Sequence, residues 1–204
     1  MFKKILTSLV LCIGLQTTLS THPFLLEGKF AYFRPTSSTL RDIYGSSWLN
    51  SGFEVSGRLP FTQPFLKDLY LFGGFNYLDA EGHSLGGHDQ TEIRIIPLSL
   101  GLKYMYTAIE GSNPLKLYLG AGFRYFFVRV KNDVSFVKSR VTKSGLGGVV
   151  EGGALYFINN VVFLNGFIDY SFRNLGIINT KTGVSGKGVE VGGLSIGGGL
   201  GFQF

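Results

Sequence analysis

Cysteine is all but absent. Among 204 residues only Cys12 carries a thiol, and it lies in an N-terminal segment whose removal is expected, so neither disulfides nor thiol chemistry are expected in the remainder. Leu11, just before Cys12, is larger than the Gly, Ala or Ser that a lipoprotein-processing site prefers, which argues against lipidation there. Also missing, beyond the N-terminus, is any clean run of about 20 apolar residues, the length a helix needs to cross a bilayer. The nearest stretch, Gly152 to Ile168, is broken by Asn159, Asn160 and Asn165. Charge is sparse, at 16% of residues, and the net charge of +6 falls to +4 once Lys3 and Lys4 are removed. With no basic helix or stacking motif beside it, that charge does not indicate nucleic acid. Histidine is scarce too. His22 stands at the expected mature N-terminus, and His83 and His88 share one polar loop with Glu81, Ser84 and Asp89. His, Ser and an acid are residue types of a hydrolase, and His83, His88 and Asp89 of a metal site. No strand positions them, however, so no catalytic residue, metal or other cofactor is expected.

What the chain does have is glycine and aromatics, with 30 Gly, 19 Phe and 10 Tyr, a composition that favours strands over helices. At the N-terminus Lys3 and Lys4 precede a short apolar run, Ile5 to Leu15, and then small residues with Thr18 and Ser20 at plausible −3 and −1 positions. This is the pattern of a secretory signal peptide. The expected division is a signal over 1–20 and one domain over 21–204.

Downstream, apolar residues recur at every second position, the period of a strand. At the end of the chain Leu194, Ile196, Leu200, Phe202 and Phe204 alternate with Gly193, Ser195, Gly197, Gly199, Gly201 and Gln203. Segments 24–34, 51–60, 68–79, 96–106, 115–130, 146–157 and 161–173 alternate likewise, and together they predict eight strands. Ile93 and Ile95 fall out of phase with Ile96, Leu98 and Leu100, so a bulge or membrane exit is expected near Pro97. Connectors near 60–68, 106–114 and 157–161 are the shorter set. Those near 35–50, 79–91, 131–144 and 174–188 are longer and polar. Tyr104, Tyr156, Phe202 and Phe204 gather toward one rim, and Tyr32, Tyr77, Tyr125, Phe127, Tyr170 and Phe172 toward the other. The pattern is that of an all-β, eight-stranded, antiparallel up-and-down transmembrane β-barrel, apolar outside and small or polar inside. Its short turns would be periplasmic and its long loops extracellular. A lipocalin-like soluble barrel would need many more Lys and Glu on the polar face. A ten-stranded barrel would need a further hairpin within 35–50.

The chain ends Gly199-Leu200-Gly201-Phe202-Gln203-Phe204. A final Phe with an aromatic two residues earlier resembles the insertion signal read by the outer-membrane barrel assembly machinery, which implicates Leu200, Phe202 and Phe204. With the signal peptide and strand pattern, the mature chain resembles small eight-stranded outer-membrane proteins of the OmpA/OmpW type. Tyr32-Phe33-Arg34-Pro35 followed by Leu40 to Gly45, and Pro97 to Tyr104, are more particularly similar to uncharacterised barrels of intracellular Gram-negative bacteria. The resemblance implies residence in the outer membrane and brings no known activity.

Two residue sets are candidates for function. Glu27, Lys29, Glu54, Arg58, Lys103, Arg124, Glu151, Asp169 and Arg173 fall on inward positions, where charges must be paired. Counting along the strands places Glu27 near Arg58, Lys29 near Glu54, and Arg124 roughly opposite Glu151. The expectation is an ion-pair network filling a largely closed lumen, giving a structural or surface-interaction protein. The alternatives are a narrow channel for small solutes and, less favoured, a lipid A-modifying enzyme. The second set is the basic loop carrying Arg129, Lys131, Lys138, Arg140 and Lys143, candidates for contact with lipopolysaccharide phosphates. Expected partners are outer-membrane lipid, lipopolysaccharide and the assembly machinery, with no nucleic acid and a monomeric state.

Overall fold

The computed structural model describes residues 23–63, 65–83, 90–132, 140–175 and 189–204, with the backbone alone for Asn132 and Arg140. Within these residues eight antiparallel strands form a closed barrel: β1 (Phe24–Pro35), β2 (Trp48–Arg58), β3 (Leu69–His83), β4 (Gln90–Ile109), β5 (Leu115–Asn132), β6 (Arg140–Phe157), β7 (Val162–Phe172) and β8 (Gly193–Gln203). Each strand pairs with its neighbour in sequence, and β8 returns to β1 with Leu26 opposite Phe202 and Phe30 opposite Gly198. Two further residue pairs, Asn174–Leu175 and Val189–Glu190, make a small ribbon outside the barrel sheet.

Alternation decides which face points where. On β7, Phe163, Asn165, Phe167, Asp169 and Ser171 are buried in the lumen, while Leu164, Gly166, Ile168, Tyr170 and Phe172 are exposed outside. The same parity runs through all eight strands, so the outer wall is an apolar band including Phe30, Leu100, Leu119, Phe123 and Leu200. Such a wall stands in water only at great cost and suits hydrocarbon.

The turns at one end are compact. Leu59 N–H donates to the Leu69 carbonyl at 2.9 Å. At 158–161 the Asn159 carboxamide oxygen accepts from the Val161 and Val162 N–H groups at 2.8 and 2.7 Å, an Asx-type closure. Between β4 and β5, Gly111 adopts φ 132°, which a side chain would disfavour.

At the other end, segment 35–50 holds no hairpin. It carries one short helix, α1 (Ser38–Tyr44), capped by the Ser37 hydroxyl, which accepts from Leu40 N–H at 3.4 Å. Gly45, at φ 85°, ends it and returns its N–H to the Arg41 carbonyl. Leu40 and Tyr44, one turn apart, are buried, and the Trp48 indole N–H donates to the Tyr44 and Gly45 carbonyls at 3.1 Å each. The helix is thereby folded over the mouth of the barrel.

Of the bulge or membrane exit expected near Pro97, the bulge is not there. The β3–β4 ladder skips from Phe75↔Leu98 to Leu78↔Ile95 and resumes in the same register. Proline, which has no N–H to give, is accommodated by that gap rather than by an extra residue. β4 therefore keeps one phase past Pro97, and Ile93 and Ile95, each 1% exposed, are luminal. A register shift does occur in β4, but between Thr107 and Ile109.

Candidate functional site in the barrel lumen

From the turn end to the loop end the lumen is filled in layers. The lowest is apolar, with Leu25, Tyr70, Met105, Leu155, Phe157 and Phe163 packed together. Gly201 on β8 makes this possible, because a Cβ there would strike the Phe163 ring.

Above it lies a charged layer contributed by four strands. Lys29 Nζ on β1 lies 2.8 Å from Glu54 on β2, 3.3 Å from Glu151 on β6 and 3.9 Å from Glu27. Lys103 on β4 pairs with Glu54 and, at 3.0 Å, with Glu151. Ser56 donates to Glu54 at 3.2 Å. The Asn165 amide donates to Glu27 at 2.7 Å and to the Tyr118 hydroxyl at 3.1 Å. The two ammonium groups also rest on aromatic faces, Lys29 at 4.4 Å from the Phe167 centroid and Lys103 at 4.2 Å from that of Tyr118. Room for Tyr118 comes from Gly153, where a Cβ would lie 2.7 Å from the phenol oxygen.

A third layer is smaller. Arg124 donates to Ser99 at 2.8 Å and to Asp169 at 3.0 Å, and Asn76 donates to Asn50, which donates to Ser195. Over this sits the loop-end apolar cluster, including Phe33, Leu40, Trp48, Ile93, Ile95 and Phe126. Tyr44 is tied to the barrel wall through its hydroxyl, 3.0 Å from that of Thr91, and its burial raises the phenol above its ordinary pKa.

Of the nine charged residues singled out in sequence, seven lie buried in these layers. Lys29 and Glu54 meet, but the other two pairings counted along the strands do not form. Arg58 sits at the turn end and bonds to Asp68 at 3.3 Å and to the Lys67 carbonyl, not to Glu27. Arg124 finds Asp169 rather than Glu151, whose carboxylate is held by Lys29 and Lys103. Arg173 is half-buried at the loop end against Gly145, with its Nε lacking a partner among the described residues. Sequence reasoning passed over Asn50, Asn76, Tyr118 and Ser195 as network members. Their inward parity was the available signal, but it ranks no polar residue above another.

The basic-loop candidates are only partly within view. Arg129 and Lys131 are exposed on β5 and Lys143 on β6. Arg140 is described by its backbone, opposite Lys131, and Lys138 lies outside the described residues. His83 is exposed at the end of β3, and His22, Ser84, His88 and Asp89 lie outside the described residues. Leu200, Phe202 and Phe204 all face outward.

No protein-family model and no curated protein matches this chain. Solved structures do. Neisserial surface protein A superposes with a TM-score of 0.57 over 91% of this chain and 98% of that one, at 18% identity. The chain shares their fold, a closed eight-stranded antiparallel β-barrel. The outer membrane protein OprG from Pseudomonas aeruginosa gives 0.58 over 89% and 95%, at 16% identity. A major outer membrane protein from Thermus thermophilus gives 0.54 over 91% and 100%, at 13% identity. At such identities the likeness is one of fold, so function has to be argued from the lumen and the wall.

Proposed function

We propose that this protein is an integral outer-membrane barrel that works through its wall and loops, with a lumen closed to solutes. Residues 1–20 act as the export signal, the barrel assembly machinery inserts the remainder as a monomer, and the long connectors face the cell exterior. One observation carries the reading: the lumen is occupied at every depth, by Phe163 (1% exposed), then Lys103 and Glu151 (1% and 2%), then Asp169 (2%), then Ile95 (1%). An eight-strand barrel has an interior about wide enough for side chains, and here they meet across it. A conducting path would require the Lys29–Glu54–Lys103–Glu151 cluster to part, which leaves buried charges without partners. This reading gives the protein no catalytic step.

Planar-bilayer recording of the refolded barrel tests it. No discrete conductance above the lipid baseline is expected at either polarity. Steady single-channel steps that shift in ion selectivity with Lys103→Ala would establish a channel and overturn the closed-lumen reading.

A further inference from the structure

On β1 the outward positions run Phe30, Tyr32, Arg34 toward the loop end, from apolar through amphipathic to cationic in steps of roughly 7 Å. The neighbouring strands stay apolar at the same height. Tyr32 is flanked by Leu49 on β2 and Ile196 on β8, and one row higher Arg34 is opposite Leu194. There the wall is indented by a groove of about 410 Å³ with an apolar floor of Tyr32, Leu194 and Ile196 and a polar upper edge of Arg34, Ser46 and Ser47.

Arg94 on β4 shows what a compensated outward arginine looks like. Arg94 is neutralised by Glu92 at 2.9 Å and Asp79 at 3.6 Å. Arg34 makes no ion pair or side-chain hydrogen bond among the described residues. An exposed guanidinium above an apolar notch, without a counter-charge among the described residues, is complementary to a phosphate, which it meets with two parallel N–H donors. A free phosphate would use only the upper edge. A lipid carrying its phosphate directly above acyl chains would use the edge and the floor together.

We propose that this groove binds a phosphorylated, acylated glycolipid of the lipid A class, its phosphate on Arg34 and the Ser46 and Ser47 hydroxyls and one acyl chain along Tyr32, Leu194 and Ile196. The proposal rests on the outer-membrane orientation given above, which turns the loop end of the wall toward the outer leaflet. It commits to residues separate from the basic loop at Arg129 to Lys143.

Native mass spectrometry of the folded barrel in detergent tests it with four probes: bisphosphorylated lipid A, the same lipid stripped of both phosphates, phosphatidylglycerol, and inorganic phosphate. Wild-type protein is expected to retain lipid A most strongly. Arg34→Ala should weaken that binding about tenfold, equivalent to about 1.4 kcal/mol, Arg34→Lys should weaken it less, and Lys67→Ala, an exposed cation in the opposite turn, should not change it. Equal binding by Arg34→Ala and wild type, equal retention of the dephosphorylated lipid, or phosphatidylglycerol held as tightly as lipid A would each overturn the proposal. Should Arg34→Ala lose the heat-modifiable migration of a folded barrel, Ser47→Ala with Ser46→Ala takes its place, with a loss of phosphate preference expected and an unchanged preference counting against the site. A barrel that fails to conduct yet shows no lipid A preference defeats this site alone, whereas a conducting barrel defeats the closed-lumen reading alone.

Discussion

Arg124 reaches the lumen from β5 with two partners waiting, the Ser99 hydroxyl and the Asp169 carboxylate. Asp169 is 2% exposed, so truncating the arginine strands a charge in a low dielectric. Arg124→Ala should cost about 3–5 kcal/mol in urea unfolding from lipid vesicles, while Arg129→Ala, which removes an exposed cation, should cost about 1 kcal/mol or less. Equal losses would show that lumen water already solvates Asp169. At this scale the sequence was legible in part. Parity told which side chains enter the lumen, since neighbours on a strand must face opposite ways. It did not tell which charges meet, because partners such as Lys29 and Glu151 reach one another across the barrel from non-adjacent strands, and relative depth depends on strand stagger that no local pattern encodes.

Two elements at opposite ends of the barrel lend themselves to deletion. Phe204 donates its N–H to the Phe24 carbonyl at 2.8 Å and accepts from Phe24 N–H at 3.1 Å, while its ring faces outward. Removing Phe204 takes away both bonds and an interfacial aromatic. The amount of heat-modifiable barrel in outer-membrane fractions should fall severalfold while export and leader removal continue, and unchanged yield would argue against its part in assembly. Helix α1 covers the mouth, but the charged layers lie beneath it. Replacing residues 38–44 by a Gly-Ser linker should therefore leave planar-bilayer current at baseline, and the appearance of steps would make α1 the sole seal. The helix itself was not foreseen, since a seven-residue element gives periodicity too little length to register. Its Ser37 cap and closing Gly45 are the marks by which it could have been found. Ile93 and Ile95 misled for a related reason. Apolar residues at inward positions look out of phase when the lumen is assumed polar throughout, yet here they supply part of the plug.

For the molecule as a whole, the strand pattern proved sufficient to lay out an eight-stranded closed barrel, because in lipid a sheet edge has no alternative partner and closure is the remaining option. Which end faces out is a separate matter that chemistry at the rim must answer. An epitope tag placed within 36–47 should be labelled on intact cells, and one placed within 110–113 should be labelled only after the outer membrane is permeabilised. Reversed labelling would invert the orientation and, with it, the leaflet to which Arg34 is exposed.

The pairing of β1 with β8 has a consequence for how the barrel comes into being. Leu26 and Phe202 are neighbours in the finished wall although almost the whole chain separates them. Contacts of such long range form late and slowly. Until β8 arrives, the growing sheet has two bare margins, one along β1 and one along whichever strand was laid down last, each a template for pairing with another molecule. No shorter run of these strands escapes that exposure. The opportunity for misassembly ends only when the final strand finds the first.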